Sequence, residues 1–357
     1  MKEALAAAEK GRGFVSPNPT VGCTIVDKDH KFLASAGHMK FGGPHAEILA
    51  LEKISDKSQL QGATIYVTLE PCAHEGKTGS CAKAIAQHPF KELIYGTLDP
   101  NPLVTGKGIL IVENAGIGIG HFQALEEECK KSCEDFLFHI THEMPFVVVK
   151  VASSLDGKIA LTNGDSQWIT GPETRAHARE LRAHYDATMI GAGTFLNDDP
   201  LLDFRETFYE GKRDNRIVIL DPRAKGAQFW PQSQLSKKHK KENIFVLTRK
   251  DNMEVWQNHG IKTLAWNSSP VGWEVAMKSL YKEGIASLFV EGGAYAISQL
   301  LQFKKVHKLY LYQAPKIMGY GKSWADYFKV KSVADAPQLK KWEIEKLEHD
   351  NLLTGWF

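Results

Sequence analysis

The sequence contains no apolar run approaching the roughly 18 residues that a membrane-spanning helix requires, and its opening stretch, MKEALAAAEKGRG, carries no apolar segment of the export type. Neither membrane insertion nor export is expected, and the chain reads as cytoplasmic. Charge of one sign is also missing: 44 basic residues stand against 42 acidic ones, for a formal net charge of +2. Such a balance gives no broad field to recruit nucleic acid or an anionic membrane as main partner. Cysteine is scarce and odd in number, five in 357 residues, which fits reduced thiols and a metal site better than a disulfide framework. No G-x-G-x-x-G fingerprint occurs. The nearest stretch, Gly191-Ala192-Gly193-Thr194-Phe195-Leu196, lacks the third glycine, so a Rossmann dinucleotide domain is unsupported. No internal repeat is present.

What is present is the composition of a globular protein, 43% hydrophobic and 24% charged, in a chain longer than one ordinary core organises. Two domains are therefore expected, over residues 1–143 and 144–357. In the first, residues 2–10 read as an Ala-rich helix, 21–26 and 31–36 as a hairpin, 45–53 as a helix and 64–69 as a continuous buried strand. Further helices are expected at 81–87, from 107 and over 121–140, with a strand at 93–95, and GIGIGH reads as another. The alternation implies a three-layer α/β/α arrangement. The second half repeats the α/β rhythm from Phe146 onward, and KVHKLYLY alternates at period two, so its sheet is expected to end in antiparallel pairing. Residues 226–241, with Lys237-Lys238-His239-Lys240-Lys241, read as an exposed insertion.

The chemistry concentrates in a split constellation: Pro44-His45-Ala46-Glu47, then Pro71-Cys72 and, eight residues further on, Cys81. One imidazole and two thiolates give three ligands for a tetrahedral zinc and leave one corner open, the arrangement of a catalytic site. An H-x-E followed by P-C and a second cysteine is the signature of zinc deaminases, in which the glutamate moves protons and does not bind the metal. His45, Cys72 and Cys81 are thus the candidate ligands for one zinc, and Glu47 is the candidate proton carrier for water activated by the metal. Asn18, between Pro17 and Pro19, is placed to hydrogen-bond a heterocycle edge, although a plain Asx turn uses the same residues. His74 competes as a fourth ligand but reads better as lining the pocket. Cys129 and Cys133 stand at i, i+4 on the expected long helix and read as buried thiols, as does Cys23.

Signals in the second half are softer. Val290-Glu291-Gly292-Gly293 ends a strand and opens a helix, whose free amides suit a phosphate; a tight turn needing glycine for its backbone angles accounts for the same residues. Arg182 and Arg205 offer guanidinium forks for a substrate phosphate, or surface ion pairs.

Taken together, SPNPTVGCTIV, GHMKFGGPHAE, YVTLEPCAHEGKTGSC and DPNPLVTGKG in the first half, and KVASSLDGKIA, GDSQWIT, Asn197-Asp198-Asp199-Pro200, FVEGG and APKIMG in the second, resemble the bifunctional deaminase and reductase family of riboflavin biosynthesis over essentially the whole chain. The resemblance implies a cytidine-deaminase-like domain followed by a dihydrofolate-reductase-like α/β domain. It implies hydrolytic removal of the 2-amino group of 2,5-diamino-6-ribosylamino-4(3H)-pyrimidinone 5′-phosphate, then NADPH-dependent reduction of the ribosyl group to ribityl. By position, His45, Cys72 and Cys81 match the zinc ligands and Glu47 the proton shuttle, while Asn18, His38 and Lys77 match deaminase substrate contacts. Ser166, Arg182, Leu202, Arg205 and Glu291 match reductase substrate positions. Ser153, Trp168, Thr194, Asp198, Gly293, Ala294 and Tyr295 match NADPH positions. Where the family commonly has two prolines before the second cysteine, this chain has Gly79-Ser80, expected to loosen the loop carrying Lys77. A small-molecule substrate and a homo-oligomer, dimer or tetramer, complete the expectation. Two other readings stay open. A tRNA or nucleobase deaminase with a non-catalytic second half predicts a basic face and no NADPH affinity, and a zinc-stabilised interaction protein predicts a closed four-ligand site.

Overall fold

The computed structural model describes residues 1–73, 79–101 and 104–357, which form two compact units, Met1–Glu143 and Met144–Phe357. Unit 1 runs α1 (Lys2–Glu9), β1 (Gly22–Val26), β2 (Phe32–Gly37), α2 (Ala46–Glu52), β3 (Thr64–Leu69), α3 (Cys81–Ala86), β4 (Glu92–Thr97), α4 (Lys107–Asn114), β5 (Gly118–His121), α5 (Glu126–Ser132) and α6 (Glu134–His142). Its five strands lie in the order β2-β1-β3-β4-β5. The β1–β2 and β1–β3 pairings are antiparallel, whereas β3–β4 and β4–β5 are parallel.

Strand alternation sorts the two faces of this sheet. Cys23, Ile25, Ala34 and Ala36 are buried in one core with Ala46 and Ala50 of α2. On the other face Gly22 and Gly37 lie against the α1 backbone, where a side chain would run into the carbonyls of Ala4 and Ala7. The expected single helix over residues 121–140 is instead two. Cys133 interrupts it at φ −134, ψ 28, so Cys129 and Cys133 do not share one continuous helical face. Both are nonetheless buried thiols.

Unit 2 runs β6 (Phe146–Ser153), β7 (Lys158–Leu161), α7 (Pro172–Ala183), β8 (Ala187–Gly191), α8 (Ala192–Asp198), β9 (Arg216–Leu220), α9 (Gln234–Lys238), β10 (Ile244–Thr248), α10 (Met253–Gln257), β11 (Lys262–Ala265), α11 (Pro270–Lys282), β12 (Ser287–Val290), α12 (Ala294–Gln302), β13 (Lys308–Gln313), β14 (Gly321–Ser323), β15 (Lys341–Leu347) and β16 (Asp350–Trp356). Nine strands form one sheet, β11-β10-β9-β8-β12-β6-β13-β16-β15, and β7 pairs with β14 apart from it. Pairing is parallel from β11 to β13 and antiparallel through β16 and β15. The antiparallel end follows the expectation from KVHKLYLY, although β13 itself meets β16 on one side and a parallel neighbour on the other.

Both faces of the parallel part are covered, as near-continuous apolar strands require. Val218, Leu220, Phe245 and Leu247 pack with Trp273 and Met277 of α11. Ile217, Ile219, Ile244 and Val246 pack with Trp230, Leu235 and Trp256. The last group corrects the expected insertion at residues 226–241. Its lysines 237, 238, 240 and 241 are exposed, but Ala227, Trp230 and Leu235 are fully or almost fully buried, and they roof the second face of the sheet. The lysine run masked three apolar anchors. Among the described residues no helix is long and apolar enough to cross a membrane.

Candidate functional site

Three segments deliver the metal centre of unit 1. His45 is the N-cap residue of α2, Cys72 follows the end of the buried strand β3, and Cys81 opens α3. Their ligand atoms lie within 4.8 Å of one another. His45 Nδ1 stands 3.6 Å from the Cys72 sulfur and 3.3 Å from that of Cys81. Zinc bonds of about 2.3 Å to sulfur and 2.0–2.1 Å to nitrogen at a tetrahedral angle demand nitrogen-to-sulfur separations of about 3.6 Å, so the donor set fits the ion in type and in spacing. The Cys81 thiol, then the His45 ring, holds Cys72 down as a thiolate against its burial. The same contact with Cys72, together with burial, pushes Cys81 up.

Glu47 sits in the first turn of α2, 3% exposed. Burial first, then the negative Cys72 sulfur, raises its carboxyl above the ordinary range. Two further expected residues join this cluster. Asn18 Nδ2 is 3.2 Å from His38 Nε2, the other nitrogen of His38 is 3.0 Å from the Pro44 carbonyl, and the His38 and His45 rings meet edge-on at 5.2 Å. Lys77 and His74 lie outside the described residues.

Two scaffolding residues escaped the sequence reading. Ser80 caps α3, accepting from the Lys83 amide at 3.3 Å, and donates to the Cys72 carbonyl at 2.9 Å. The Cys81 amide also points at the Cys72 sulfur, 3.4 Å away. One serine therefore ties both cysteine segments together, a bond that no proline provides. Its signal was a serine immediately before a helix start. Glu70 is buried, and its carboxylate accepts from the Gly106 and Gly108 amides at 3.0 and 3.2 Å, which pins the loop into α4.

In unit 2 the site lies where the sheet changes direction. From β8 the chain winds outward through β9, β10 and β11, then returns to place β12 on the other side of β8. The crevice outside the carboxyl ends at such a switch point is where open α/β sheets bind ligands. It holds a cleft of about 730 Å³. Ser166, Thr194, Asp198, Gly293, Ala294 and Tyr295 of the expected residues line it. The Gly-Gly turn is not there for unusual angles, since neither Gly292 nor Gly293 has a positive φ. Gly292 is required by close approach: a Cβ on it would come within 2.9 Å of Ala296 Cβ. Asp198 faces Lys322, yet burial raises its carboxyl. Arg223, Lys225 and Arg249 line the same cleft and were not singled out from sequence.

The remaining expected residues are not among those lining the cleft. Arg182 grips Glu291 with two nitrogens, at 2.5 and 3.2 Å, and donates to the Asp203 carbonyl at 2.8 Å. Lys150 reaches Glu291 at 3.4 Å. Burial alone would push the Glu291 carboxyl up, but Arg182 and then Lys150 outweigh it and hold the group at about 2. Arg182 is thus a buried ion-pair partner with its fork committed, whereas Arg205 is 44% exposed and bonded to Asp203 by one nitrogen at 2.5 Å. Leu202 is buried with φ 47, and its carbonyl accepts from Asn215 at 2.7 Å. Ser153 is buried with its hydroxyl unpartnered among the described residues. Trp168 is 61% exposed and lies under the Arg175 guanidinium, 4.4 Å from the ring centre.

A His/Cys/Cys centre beside a buried glutamate on a three-layer unit, followed by a mixed sheet with a glycine-walled cleft at its switch point, defines a deaminase-type domain joined to a reductase-type domain. Residues 1–97 match the cytidine and deoxycytidylate deaminase zinc-binding region, and residues 145–353 match the RibD C-terminal domain. The chain is 37% identical to riboflavin biosynthesis protein RibD of Aquifex aeolicus, across 98% of this chain and 95% of that one. Against RibD of Escherichia coli the identity is 33%, across 98% and 96%. A solved structure from Thermotoga maritima, described as a diaminohydroxyphosphoribosylaminopyrimidine deaminase/5-amino-6-(5-phosphoribosylamino)uracil reductase, superposes with a TM-score of 0.86 at 36% identity, covering 100% of this chain and 97% of that one. The chain belongs to the RibD family of riboflavin biosynthesis proteins, bifunctional enzymes with a deaminase and a reductase domain.

Proposed function

We propose that unit 1 replaces the 2-amino group of 2,5-diamino-6-ribosylamino-4(3H)-pyrimidinone 5′-phosphate by oxygen from water, releasing ammonia, and that unit 2 reduces the ribosyl group of the product to ribityl with NADPH. The observation that carries this reading is the convergence of His45, Cys72 and Cys81 within 4.8 Å, with Glu47 buried beside them. Zinc held by the three residues supplies Lewis-acid activation of water at neutral pH. Glu47 takes one proton from the water and passes it to the ring nitrogen, then takes the second from the hydroxyl now on the ring carbon and passes it to the departing amine. A carboxyl raised by burial suits both halves of that task. Asn18 and His38, 3.2 Å apart, present donors and acceptors to the edge of the pyrimidine.

In unit 2 NADPH supplies the hydride when bound. The cleft holds it along Ser166, Thr194, Asp198 and the amides opening α12 at Gly293, Ala294 and Tyr295, with Ser153 and Trp168 completing the family's set. Arg205 meets the substrate phosphate with its free guanidinium nitrogens. Arg182, Glu291 and Leu202 shape the ribosyl pocket, and the buried ion pair fixes Glu291 as a carboxylate. The boundary between the activities falls between residues 143 and 144. The near-neutral charge supports a small-molecule substrate without nucleic acid. All five cysteines are free, which suits the cytoplasm. A homo-oligomer, dimer or tetramer, belongs to the same reading, and exposed Trp342 and Ile344 on the edge strand β15 support it.

The test is incubation of the purified chain with the diaminopyrimidine phosphate, with and without NADPH, read by mass spectrometry. Amine-to-oxygen exchange alone is expected without NADPH, and a further addition of two hydrogens with it. An unchanged substrate mass would sink the deaminase half, and NADPH consumption without ribityl product would sink the reductase half.

A further inference from the structure

Three consecutive carbonyls of unit 2 are each captured by a side chain from a different part of the chain. Leu201 accepts from His239 Nε2 at 2.6 Å, Leu202 from Asn215 Nδ2 at 2.7 Å, and Asp203 from Arg182 Nη1 at 2.8 Å. A carbonyl only accepts, so His239 carries a proton on Nε2. His239 follows α9, Asn215 precedes β9 and Arg182 lies on α7. The stretch they hold needs outside support. Leu202 has φ 47 and Asp199 has φ 38, a left-handed backbone that is costly for a residue with a side chain and persists only where its surroundings over-determine it.

The tethers also decide what this stretch shows to a ligand. In a trans peptide unit the amide points away from its carbonyl. Turning the carbonyls of Leu201, Leu202 and Asp203 onto the tethers therefore turns the amides of Leu202, Asp203 and Phe204 the other way. The Leu202 side chain is 5% exposed and packs in one core with Trp230 and Leu235, which leaves its backbone as the part a substrate can meet. Arg205 is the exposed guanidinium of the same loop.

Much of the support comes from the segment whose lysine run reads as an insertion. Gln234, at the start of α9, donates its amide to the Asp199 carboxylate at 2.8 Å. His239, just past the end of α9, holds Leu201, and Lys238 Nζ stands 3.6 Å from the Asp203 carboxylate. The helix itself is fixed: Leu235 is fully buried, and the Ser233 hydroxyl accepts from the Ser236 amide at 3.2 Å. Asn215 is 2% exposed and also donates to the Thr188 hydroxyl at 2.9 Å, so its loss would disturb the core. His239 is only half-buried, and its bond can be removed alone.

We propose that His239 is a positioning residue of the reductase: through the Leu201 carbonyl it holds residues 199–205 in the conformation that presents the Leu202 backbone and the Arg205 guanidinium to the substrate. The proposal rests on the reading of unit 2 as a reductase whose substrate meets those two residues.

Steady-state reduction of the deaminated substrate by the full chain with NADPH tests it. His239→Ala is expected to raise KM for that substrate roughly three- to tenfold, with kcat and KM for NADPH within about twofold, as the loss of one hydrogen bond acting on substrate binding requires. His239→Gln places an amide nitrogen where Nε2 stood and should recover most of the loss. His239→Asn keeps the amide but falls short of the carbonyl, so it should behave as His239→Ala does. Lys237→Ala, in the same lysine run, should move neither KM. An unmoved substrate KM in His239→Ala, an equal rise in both KM values, the same KM for the Gln and Asn variants, or an effect of Lys237→Ala as large as that of His239→Ala overturns the proposal while leaving the reductase reading intact. A wild-type chain that reduces nothing with NADPH removes that reading and the proposal with it.

Discussion

Glu47 and Glu291 are both buried carboxyls, and their surroundings push them in opposite directions. Glu47 is buried beside a negative sulfur, so its carboxyl rises; Glu291 meets Arg182 and Lys150, so its carboxyl falls to about 2. Glu47→Gln should therefore retain zinc by metal analysis and lose deamination by roughly 10²- to 10⁴-fold, since an amide does not carry the proton. For Glu291 the sign of the pH effect follows from a folded value below the ordinary 4.5. Its stabilisation is present above about pH 4.5 and disappears as pH falls toward 2, on the order of 3 kcal/mol in all. Acid titration of the unfolding midpoint should show that loss in the wild type and not in Glu291→Gln. The clustering of His45, Cys72 and Cys81 was legible because these residues sit in short, local motifs. Arg223, Lys225 and Arg249 were not, because only the parallel pairing of β9 with β10 brings their loops together.

At the scale of elements, Ser80 links the two cysteine segments of the metal centre: it caps α3 and holds the Cys72 carbonyl. Ser80→Ala should lower the stability of α3 by about 1 kcal/mol and speed zinc loss to a chelator, which a metal-sensitive dye would follow. Gly292→Ala should drive its new methyl against Ala296, shift the opening of α12 and weaken NADPH binding. The double variant with Ala296→Gly should recover it, and failure to do so would mean that the close approach is not what requires glycine. The strand Thr64–Leu69 was readable to the residue because a continuous apolar run admits one burial. The break at Cys133 was not, since the helical period carries on across it. Strands β15 and β16 were also missed. Six of the seven β15 residues are exposed, so the Trp342-Glu343-Ile344-Glu345 alternation meets no core, and its pairing with β16 is a property of the sheet.

At the scale of the whole molecule, the two units keep separate cores. Stripping zinc should abolish deamination while leaving NADPH-dependent reduction of the already deaminated substrate near its starting rate. Parallel assays of the two half-reactions on one metal-depleted sample check this. Domain number and class were legible from length and from strand-helix alternation, whereas the order of strands was not, because switch-point topology leaves no local trace.

Asp350 of β16 has a further bearing. It is 3% exposed, and its carboxylate accepts from the Gly171 amide at 2.8 Å and the Thr174 hydroxyl at 2.7 Å, so a strand remote in the chain serves as the missing cap of α7, the helix that carries Arg182. During synthesis on the ribosome, α7 emerges long before the residue that fastens its first turn, so the reductase fold completes late while the deaminase fold has all its parts early. A nascent chain stalled ahead of residue 350 should already retain zinc yet leave α7 open to protease.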